Sequence, residues 1–288
     1  MMKLKTTDLI VNEDGSIYHL HLKPEQIAET IITVGDQDRV ADVSQHFDVI
    51  EYKAAHREFV THTGVMNNKR ITVISTGIGT DNIDIVLNEL DALTNIDFVT
   101  KAPKTEIKSL DIIRVGTSGC VQADIPINSI LFSEYAIGLE GLLNHYAFEN
   151  TIQETNLRDA FVSQVPLKNI YPYCFAAGES LIKKFEPHFR KGLTITAEGF
   201  YAPQGRVLRY TNNNPDFIKQ LNAFKHPHHR VTNLEMETAG IYGLGKVLGH
   251  SCISINAILA NRITDEFSAD PKKIVDDMIV QVLDILTK

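Results

Sequence analysis

The sequence is poor in three things that would narrow its class: cysteine, basic charge and long apolar runs. Its three cysteines, Cys120, Cys174 and Cys252, are far apart and in apolar contexts, which argues against a disulfide framework and indicates reduced, buried thiols. The formal net charge of -8 argues against a general nucleic-acid-binding protein, which would carry a basic surface. No apolar run approaches the roughly 18–20 residues of a membrane helix. Residues 1–8 also lack the apolar core of a signal peptide, so we expect a cytoplasmic protein.

The composition is that of a globular protein with a sizeable core. Of the 288 residues, 43% are hydrophobic and 22% are charged, as in soluble proteins. The length allows one large domain or two ordinary ones. The segment 95–109 looks least globular, because it is charged and contains Ala102, Pro103 and Lys104. We expect it to form an exposed loop or an extra helix.

Short β-branched runs alternate with longer amphipathic stretches along the chain. The runs predict strands at 30–34, 70–75, 111–115 and 251–258. The amphipathic stretches predict helices at about 81–94, 235–249 and 271–287. Glycine turns follow the first three strands, at Gly35, at 77–79 and at 116–119. This alternation is typical of an α/β fold with a mixed, largely buried sheet, in which ligands lie beyond the carboxyl ends of the strands.

Cationic and hydroxyl side chains accompany two of these strands. Arg39 follows the Gly35 turn, where backbone N–H groups can approach an anion, although an ordinary turn with a surface arginine fits equally well. Arg114 lies inside an apolar strand, so it faces either an anionic ligand or an internal carboxylate. Together with Arg57 and the hydroxyl of Thr117, these arginines predict a pocket for inorganic phosphate. It is not a P-loop, since no GxxxxGK[ST] motif occurs.

Two carboxylates, Glu235 and Glu237, flank Met236 where a predicted helix begins. Side chains two positions apart cannot share one helix face. At the mouth of the helix, however, they can accept hydrogen bonds from the vicinal diol of a ribose, with Met236 packed on the apolar surface of the sugar. The alternative is that acids in a first turn only favour the helix dipole.

The segment 200–206 places Gln204 and Arg206 just after Phe200 and Tyr201, in a turn stiffened by Pro203. A glutamine amide can accept from a ring N–H and donate to one carbonyl, while arginine donates to another. An aromatic ring offers a face for stacking. This arrangement predicts a site for a heterocycle with the C=O, N–H, C=O edge of uracil. The alternative is that both polar side chains are solvated.

Histidines give weaker indications. His19 lies alone in the N-terminal arm, where a structural or exposed histidine is the commoner case. A second group, His226, His228 and His229, is interrupted by Pro227 and has no cysteine or carboxylate ligand at a usable spacing. We therefore predict no metal site there.

In this order, the motifs resemble the nucleoside phosphorylase superfamily built on a single α/β domain, and within it the uridine-cleaving branch. The resemblance implies one domain, 1–288, folded as a three-layer αβα sandwich with a mixed central sheet. It assigns to phosphate the residues Gly35, Arg39, Arg57, Arg114 and Thr117. It assigns to ribose the residues His19, Glu235, Met236 and Glu237. It assigns to the base the residues Ser118, Gly119, Phe200, Gln204, Arg206 and Arg262.

The resemblance also implies an active site shared between subunits. In that family the arginine matching Arg57 comes from the neighbouring subunit, and the histidine matching His19 reaches across the dimer to the ribose 5′-hydroxyl. We therefore expect a homodimer or a trimer of dimers. A potassium ion at Glu58, Ile78 and Asn82 is an open expectation, because Asn82 replaces the serine of the family.

Two further departures affect the expected sites. Gln37 replaces a proline in the first glycine turn, which keeps its Gly35, Asp36 and Arg39. Gly205 replaces a bulkier residue between Gln204 and Arg206, which predicts a looser loop.

The reaction implied is reversible phosphorolysis of uridine to uracil and ribose 1-phosphate, with Arg114, Gln204 and Arg206 as catalytic residues. Inorganic phosphate is the co-substrate, and no organic cofactor is expected. A purine nucleoside phosphorylase would want an acid near position 262, and Asp265 is close by. A nucleoside hydrolase or an inert nucleoside-binding protein on the same fold are further alternatives. Neither nucleic acid nor a membrane is an expected partner.

Overall fold

A computed structural model describes residues 3–288. The strands are β1 Thr30–Val34, β2 Val49–His56, β3 Phe59–Met66, β4 Lys69–Ser75, β5 Ile96–Asp97, β6 Ala102–Pro103, β7 Asp111–Cys120, β8 Ile130–Gly138, β9 Tyr173–Ala176, β10 Arg190–Thr196, β11 Val231–Glu235, β12 Ser251–Asn261 and β13 Glu266–Phe267. The α-helices are α1 Asp38–Ser44, α2 Thr80–Asn95, α3 Ile152–Gln164, α4 Glu179–Phe185, α5 Phe217–Ala223, α6 Thr238–Leu248 and α7 Pro271–Thr287. Short 3-10 helices occupy Pro24–Gln26, Leu142–His145 and Ala202–Gln204.

One mixed sheet contains all of these strands except β5 and β6, in the order β13-β12-β8-β10-β11-β7-β1-β4-β3-β2, with β9 beside β8. The strand β1 runs parallel to both β4 and β7, so the turns after these strands meet at the same edge of the sheet. Apolar faces of α1, α2, α6 and α7 pack against the sheet. This is the mixed α/β architecture predicted from the sequence.

Five strands of this sheet close into a ring. The strand β7 pairs with β11 on one side and again with β12, which leads back through β8 and β10 to β11. The ring therefore brings the ends of strands that are far apart in sequence around one interior. The alternation of strands and helices along the sequence does not reveal this closure.

The strand prediction at 111–115 was too short, because β7 continues through the expected turn at 116–119 to Cys120. Long pairing with β12 holds this stretch extended. Gly116 is needed for space rather than for a turn, since a Cβ there would lie 1.9 Å from Nη1 of Arg114. A glycine inside a strand often marks such a close approach.

The predicted helix start at 235 was also wrong. Val231–Glu235 forms the buried strand β11, and α6 begins only at Thr238. The carboxylate of Glu235 accepts hydrogen bonds from the backbone N–H groups of Glu237 and Thr238, both at 2.9 Å. Glu235 therefore satisfies the first N–H groups of the helix from outside it.

The other predicted elements agree closely with the structure, except that β12 runs past the predicted end at 258 to Asn261. The strand at 30–34 and the helix at 271–287 are confirmed to the residue. The segment 95–109 contains the short hairpin of β5 and β6 instead of an extra helix. All three cysteines are buried and free, and burial raises the pKa of each thiol. No helix within residues 3–288 is long and apolar enough to cross a membrane.

Candidate active site

A cavity of about 570 Å³ lies at the carboxyl ends of the central strands. It is a size that suits a small ligand. Among the residues predicted from the sequence, those that line it are Gly35, Arg39, Glu58, Ile78, Arg114, Thr117, Ser118, Gly119, Phe200, Gln204, Arg206, Glu235, Met236 and Glu237. Residues from widely separated segments thus meet in one place, as the glycine-turn argument predicted.

Arg114 projects from β7 into the cavity wall and is held by carboxylates. Its Nη2 lies 2.6 Å from Oε2 of Glu237 and 3.3 Å from Oε2 of Glu235, and Nη1 donates to Oδ1 of Asn256 at 2.9 Å. Burial opposes the charge, but the two carboxylates outweigh it and hold the pKa of Arg114 above its usual value. The internal ion pair considered for Arg114 is therefore present.

The two glutamates are themselves fixed by several hydrogen bonds. Oε1 of Glu237 accepts from the backbone N–H of Gly79 at 2.8 Å. Oε1 of Glu235 accepts from the hydroxyl of Thr196 at 2.6 Å, in addition to the helix N–H groups at its other oxygen. Glu235 is 4% exposed and Glu237 5% exposed. This half of the cavity is a rigid cluster on strand ends, and Glu237 is the carboxylate with fewer structural partners.

Arg39, the second residue of α1, provides the free positive charge of this half. It forms no ion pair within residues 3–288, and its single hydrogen bond runs from Nη1 to the carbonyl of Val115 at 3.3 Å. Burial and the nearby Arg114 lower the pKa of Arg39. A bound anion would relieve both effects, because it supplies the counter-charge that the protein does not.

The opposite wall is the loop 200–206, in which Gln204 and Arg206 are in direct contact. Arg206 Nη1 donates to Oε1 of Gln204 at 2.6 Å and to the carbonyl of Phe200 at 2.7 Å. The guanidinium lies 3.6 Å from the centroid of the Phe200 ring. One face of that ring therefore orients Arg206, and only the other could meet a ligand.

This contact fixes which way the Gln204 amide points. Arginine can only donate, so the amide oxygen faces Arg206 and the NH₂ group faces away. The side chain of Gln204 is 3% exposed, whereas Phe200 is 50% exposed. Burial together with Arg262 lowers the pKa of Arg206 to about 10, so it remains charged at neutral pH.

The backbone beneath the pair is held by a short helix and by Arg262. Gly205 ends the short helix Ala202–Gln204 in the left-handed region, at a φ of 69°. Arg262 donates to the carbonyls of Gln204 at 3.1 Å and Gly205 at 3.5 Å. A residue without a Cβ adopts this left-handed conformation easily, and the expected loosening of the loop by Gly205 stays a prediction.

Comparison with known proteins identifies the family. The model of the phosphorylase superfamily matches residues 29–287. The chain belongs to the phosphorylase superfamily. It is 31% identical to the uridine phosphorylase of Thermococcus kodakarensis, over 91% of this chain and 83% of that one. It is 26% identical to a DeoD-type purine nucleoside phosphorylase of Listeria monocytogenes, over 94% of this chain and 99% of the relative.

A solved structure extends the likeness to the fold. The Trypanosoma brucei nucleoside phosphorylase, which shows uridine phosphorylase activity, superposes with a TM-score of 0.89 at 28% identity, covering 97% of this chain and 98% of that one. Among phosphorylase superfamily members, this chain therefore has relatives of both the uridine and the purine kind.

Four residues predicted for this phosphorylase site do not line the cavity: His19, Arg57, Asn82 and Arg262. Arg262 supports the 204–205 backbone from behind. Asn82 packs against Gly77, whose missing Cβ would lie 2.5 Å from its Nδ2. The assignment of Arg262 to the base is not supported by its own position, since the carbonyls of the loop take up its donors.

His19 and Arg57 share one surface instead. His19 Nδ1 lies 2.6 Å from Oε1 of Glu89, and its carbonyl lies 2.9 Å from Nδ1 of His56. Arg57, in the left-handed region at a φ of 54°, lies 5.9 Å from the ring of Tyr18. The two residues expected to act on a neighbouring subunit thus lie close together. Neither lines the cavity of its own chain, although the carbonyl of Arg57 accepts a hydrogen bond from the lining residue Gln37 at 3.2 Å.

Several lining residues were missed from the sequence: Asp36, Gln37, Gly77, Leu234, Leu259, Ala260 and Phe267. Leu259 and Ala260 lie in the part of β12 beyond the predicted strand end at 258, so a longer strand would have included them. Phe267 carried no local signal, because the pairing of β13 with Ala260 brings it to the cavity. Within residues 3–288, no group of three His, Cys, Asp or Glu side chains is arranged to hold a metal.

Proposed function

We propose that this chain is a uridine phosphorylase, which cleaves uridine reversibly with inorganic phosphate to give uracil and ribose 1-phosphate. The observation that carries the proposal is that the pair of buried Gln204 and half-buried Arg206 faces the same cavity as the unpaired Arg39. One wall can read a base edge while the other holds an anion. The names of the Thermococcus and Trypanosoma relatives support the same activity.

The loop pair suits uracil in its donor and acceptor pattern. The Gln204 oxygen has one lone pair left for the ring N–H, and its NH₂ can donate to one carbonyl. Arg206 uses both N–H groups of Nη1 within the protein, which leaves its other N–H groups for the second carbonyl. These donors would stabilise the negative charge that grows on the base as the glycosidic bond breaks.

The opposite wall, which carries Arg39, Arg114 and Glu237 and is called the strand-built wall, suits phosphate and ribose. Gly35, Arg39 and Thr117 would hold phosphate below the sugar, where it is both nucleophile and counter-charge to the oxocarbenium-like state. Glu237 would accept from the ribose hydroxyls, with Met236 against the sugar. Arg114 would act mainly by holding Glu237 in place, because its guanidinium is bound to carboxylates.

A second copy of the chain would complete the site with Arg57 and His19, giving a homodimer or a trimer of dimers. Neither residue lines the cavity of its own chain. Potassium stays a prediction. Glu58 and Asn82 both lie beside Gly77 and could contribute oxygens with Ile78, and oxygens are the ligands that hard cations prefer.

The alternatives fit the cavity less well. The acid required by a purine nucleoside phosphorylase is not supplied by Asp265, which is exposed and does not line the cavity. A hydrolase would have no use for the free charge of Arg39. An inert binding protein would not need a preorganised donor at Arg206.

The experiment is cleavage of uridine with and without inorganic phosphate, followed by release of uracil. We expect cleavage to stall without phosphate and ribose 1-phosphate to form with it. Arg39→Ala should abolish the response to phosphate, while Arg209→Ala, at an exposed arginine outside the cavity, should retain it. Equal rates with and without phosphate would make the protein a hydrolase, and faster cleavage of inosine would favour the purine alternative.

A further inference from the structure

All five strands of the closed ring contribute buried polar side chains to a continuous series of hydrogen bonds, two from β7 and one from each of the others. This series of hydrogen bonds starts at Arg114 on β7 and returns to Ser118 on the same strand. Its links join Arg114 to Asn256 at 2.9 Å, Asn256 to Ser133 at 3.2 Å, Ser133 to Thr194 at 2.6 Å, Thr194 to Asn233 at 2.9 Å and Asn233 to Ser118 at 3.0 Å. The four intermediate side chains are fully buried.

The direction of the links follows from Arg114 at one end and from the orientation of the Asn233 amide near the other. Arg114 can only donate, so the Asn256 oxygen faces it and the Asn256 NH₂ donates to Ser133. Ser133 then donates to Thr194, and Thr194 to the oxygen of Asn233. That oxygen also faces the hydroxyl of Thr232, at 2.7 Å. The NH₂ of Asn233 is consequently directed at Ser118.

Ser118 is the last member of this series of hydrogen bonds, and it is the only hydroxyl of the series that lines the cavity. Because its oxygen already accepts from Asn233, the hydroxyl hydrogen is left for another acceptor. Hydrogen bonds that all run in one direction polarise one another, so the charged start at Arg114 strengthens the last donor. A serine without this chain could present either a hydrogen or a lone pair to the ligand.

We infer that Ser118 is a dedicated hydrogen-bond donor to an oxygen of the bound nucleoside, and that Asn233 is the positioning residue that makes it one. Within the proposed function, on which this rests, the acceptor is an oxygen of uridine and not of phosphate. The buried series of hydrogen bonds thus fixes the direction in which the Ser118 hydroxyl donates.

The test compares Ser118→Ala, Asn233→Asp and the double variant. Aspartate keeps the shape of asparagine but cannot donate, so the Ser118 hydrogen would turn towards it and away from the ligand. Each single change should raise the KM for uridine about tenfold, the effect of losing one hydrogen bond in a buried site, and leave the KM for phosphate unchanged. The double variant should lie within about twofold of Ser118→Ala, because both changes remove the same bond.

Two controls separate positioning from a general loss of structure. Ser118→Thr keeps the hydroxyl and should keep the KM for uridine within about twofold. Thr63→Val breaks a buried hydroxyl pair with Thr72, 2.8 Å apart and far from the cavity lining; it should lower the melting temperature without changing either KM. If Asn233→Asp does not fold, Asn233→Leu replaces it, with a smaller rise in KM that is again absent in the Ser118→Ala background.

Additive effects in the double variant, or a silent Ser118→Ala, would overturn the inference. Failure of the proposed function appears separately, as lack of uridine cleavage by the unmodified protein. If that protein cleaves inosine instead, the same set of variants measured with inosine still decides whether Ser118 is a directed donor, because inosine also carries acceptor oxygens.

Discussion

The two walls of the cavity each hold an arginine, and they hold it in opposite ways. Arg114 projects from a central strand, is bound by Glu235 and Glu237, and keeps its charge through them. Arg206 lies on a loop, has no carboxylate partner within residues 3–288, and is oriented by carbonyl oxygens and the Phe200 ring. Arg114 therefore stabilises the fold as well as lining the site. Arg206 is held in place but remains electrostatically available to a ligand.

The largest expected effect tests this contrast in stability. Arg114→Leu would leave two carboxylates buried without their cation, and breaking a buried pair in this way typically costs about 3–5 kcal/mol. Arg206→Leu should cost about 1 kcal/mol or less, since neutral hydrogen-bond partners at a half-buried position are lost. Denaturant unfolding of the two variants measures the difference. Equal losses would show that the two walls do not differ as described.

The next effect concerns Glu140, a buried carboxyl near the strand-built wall. Oε2 accepts from the backbone N–H of Leu142 at 2.8 Å, and Oε1 has no partner within residues 3–288. Burial, with repulsion from Glu235, raises the pKa of Glu140 from 4.5 to about 7. The folded state therefore holds this proton more tightly than the unfolded state, and the stabilisation present below about pH 4.5 is lost as the pH rises to about 7.

We expect the free energy of unfolding to fall by at most about 3 kcal/mol across this window, relative to Glu140→Gln, which cannot titrate. Unfolding curves of both proteins at several pH values give the difference. A difference that does not change with pH would mean that Glu140 titrates in its ordinary range.

The smallest effect is on catalysis at the loop-built wall. Arg206→Ala should lower kcat/KM for uridine at least about tenfold, equivalent to ~1.4 kcal/mol, because its partner oxygen gains charge in the transition state. Steady-state kinetics with the matched variant Arg209→Ala serves as the control, because Arg209 follows the loop in sequence but stacks on Tyr210 outside the cavity. A silent Arg206→Ala would remove the loop 200–206 from base recognition.

The same contrast explains what could be predicted from the sequence. Local sequence patterns predicted both ends of β1 and of α7 correctly, and the glycine turns correctly predicted a cavity at the strand ends. They failed where distant strands decide the outcome: β7 runs on past Gly116 because β12 pairs with it, and Glu235 ends a strand because its carboxylate caps α6. Two further features carry no local signal: the face of Phe200 that holds Arg206, and the pairing of β13 with β12 that brings Phe267 to the cavity.

The closed ring also bears on how the protein meets other chains. A ring has no free strand edge, so the backbone beneath the cavity offers no unpaired groups to a foreign strand. The long open edge lies at the far margin of the sheet, on β2, which pairs only with β3 within residues 3–288. There Glu51 and Lys53 place charges along the exposed side of the strand, which disfavours uncontrolled sheet extension. Resistance to aggregation thus comes from closure at one end of the sheet and from charge at the other.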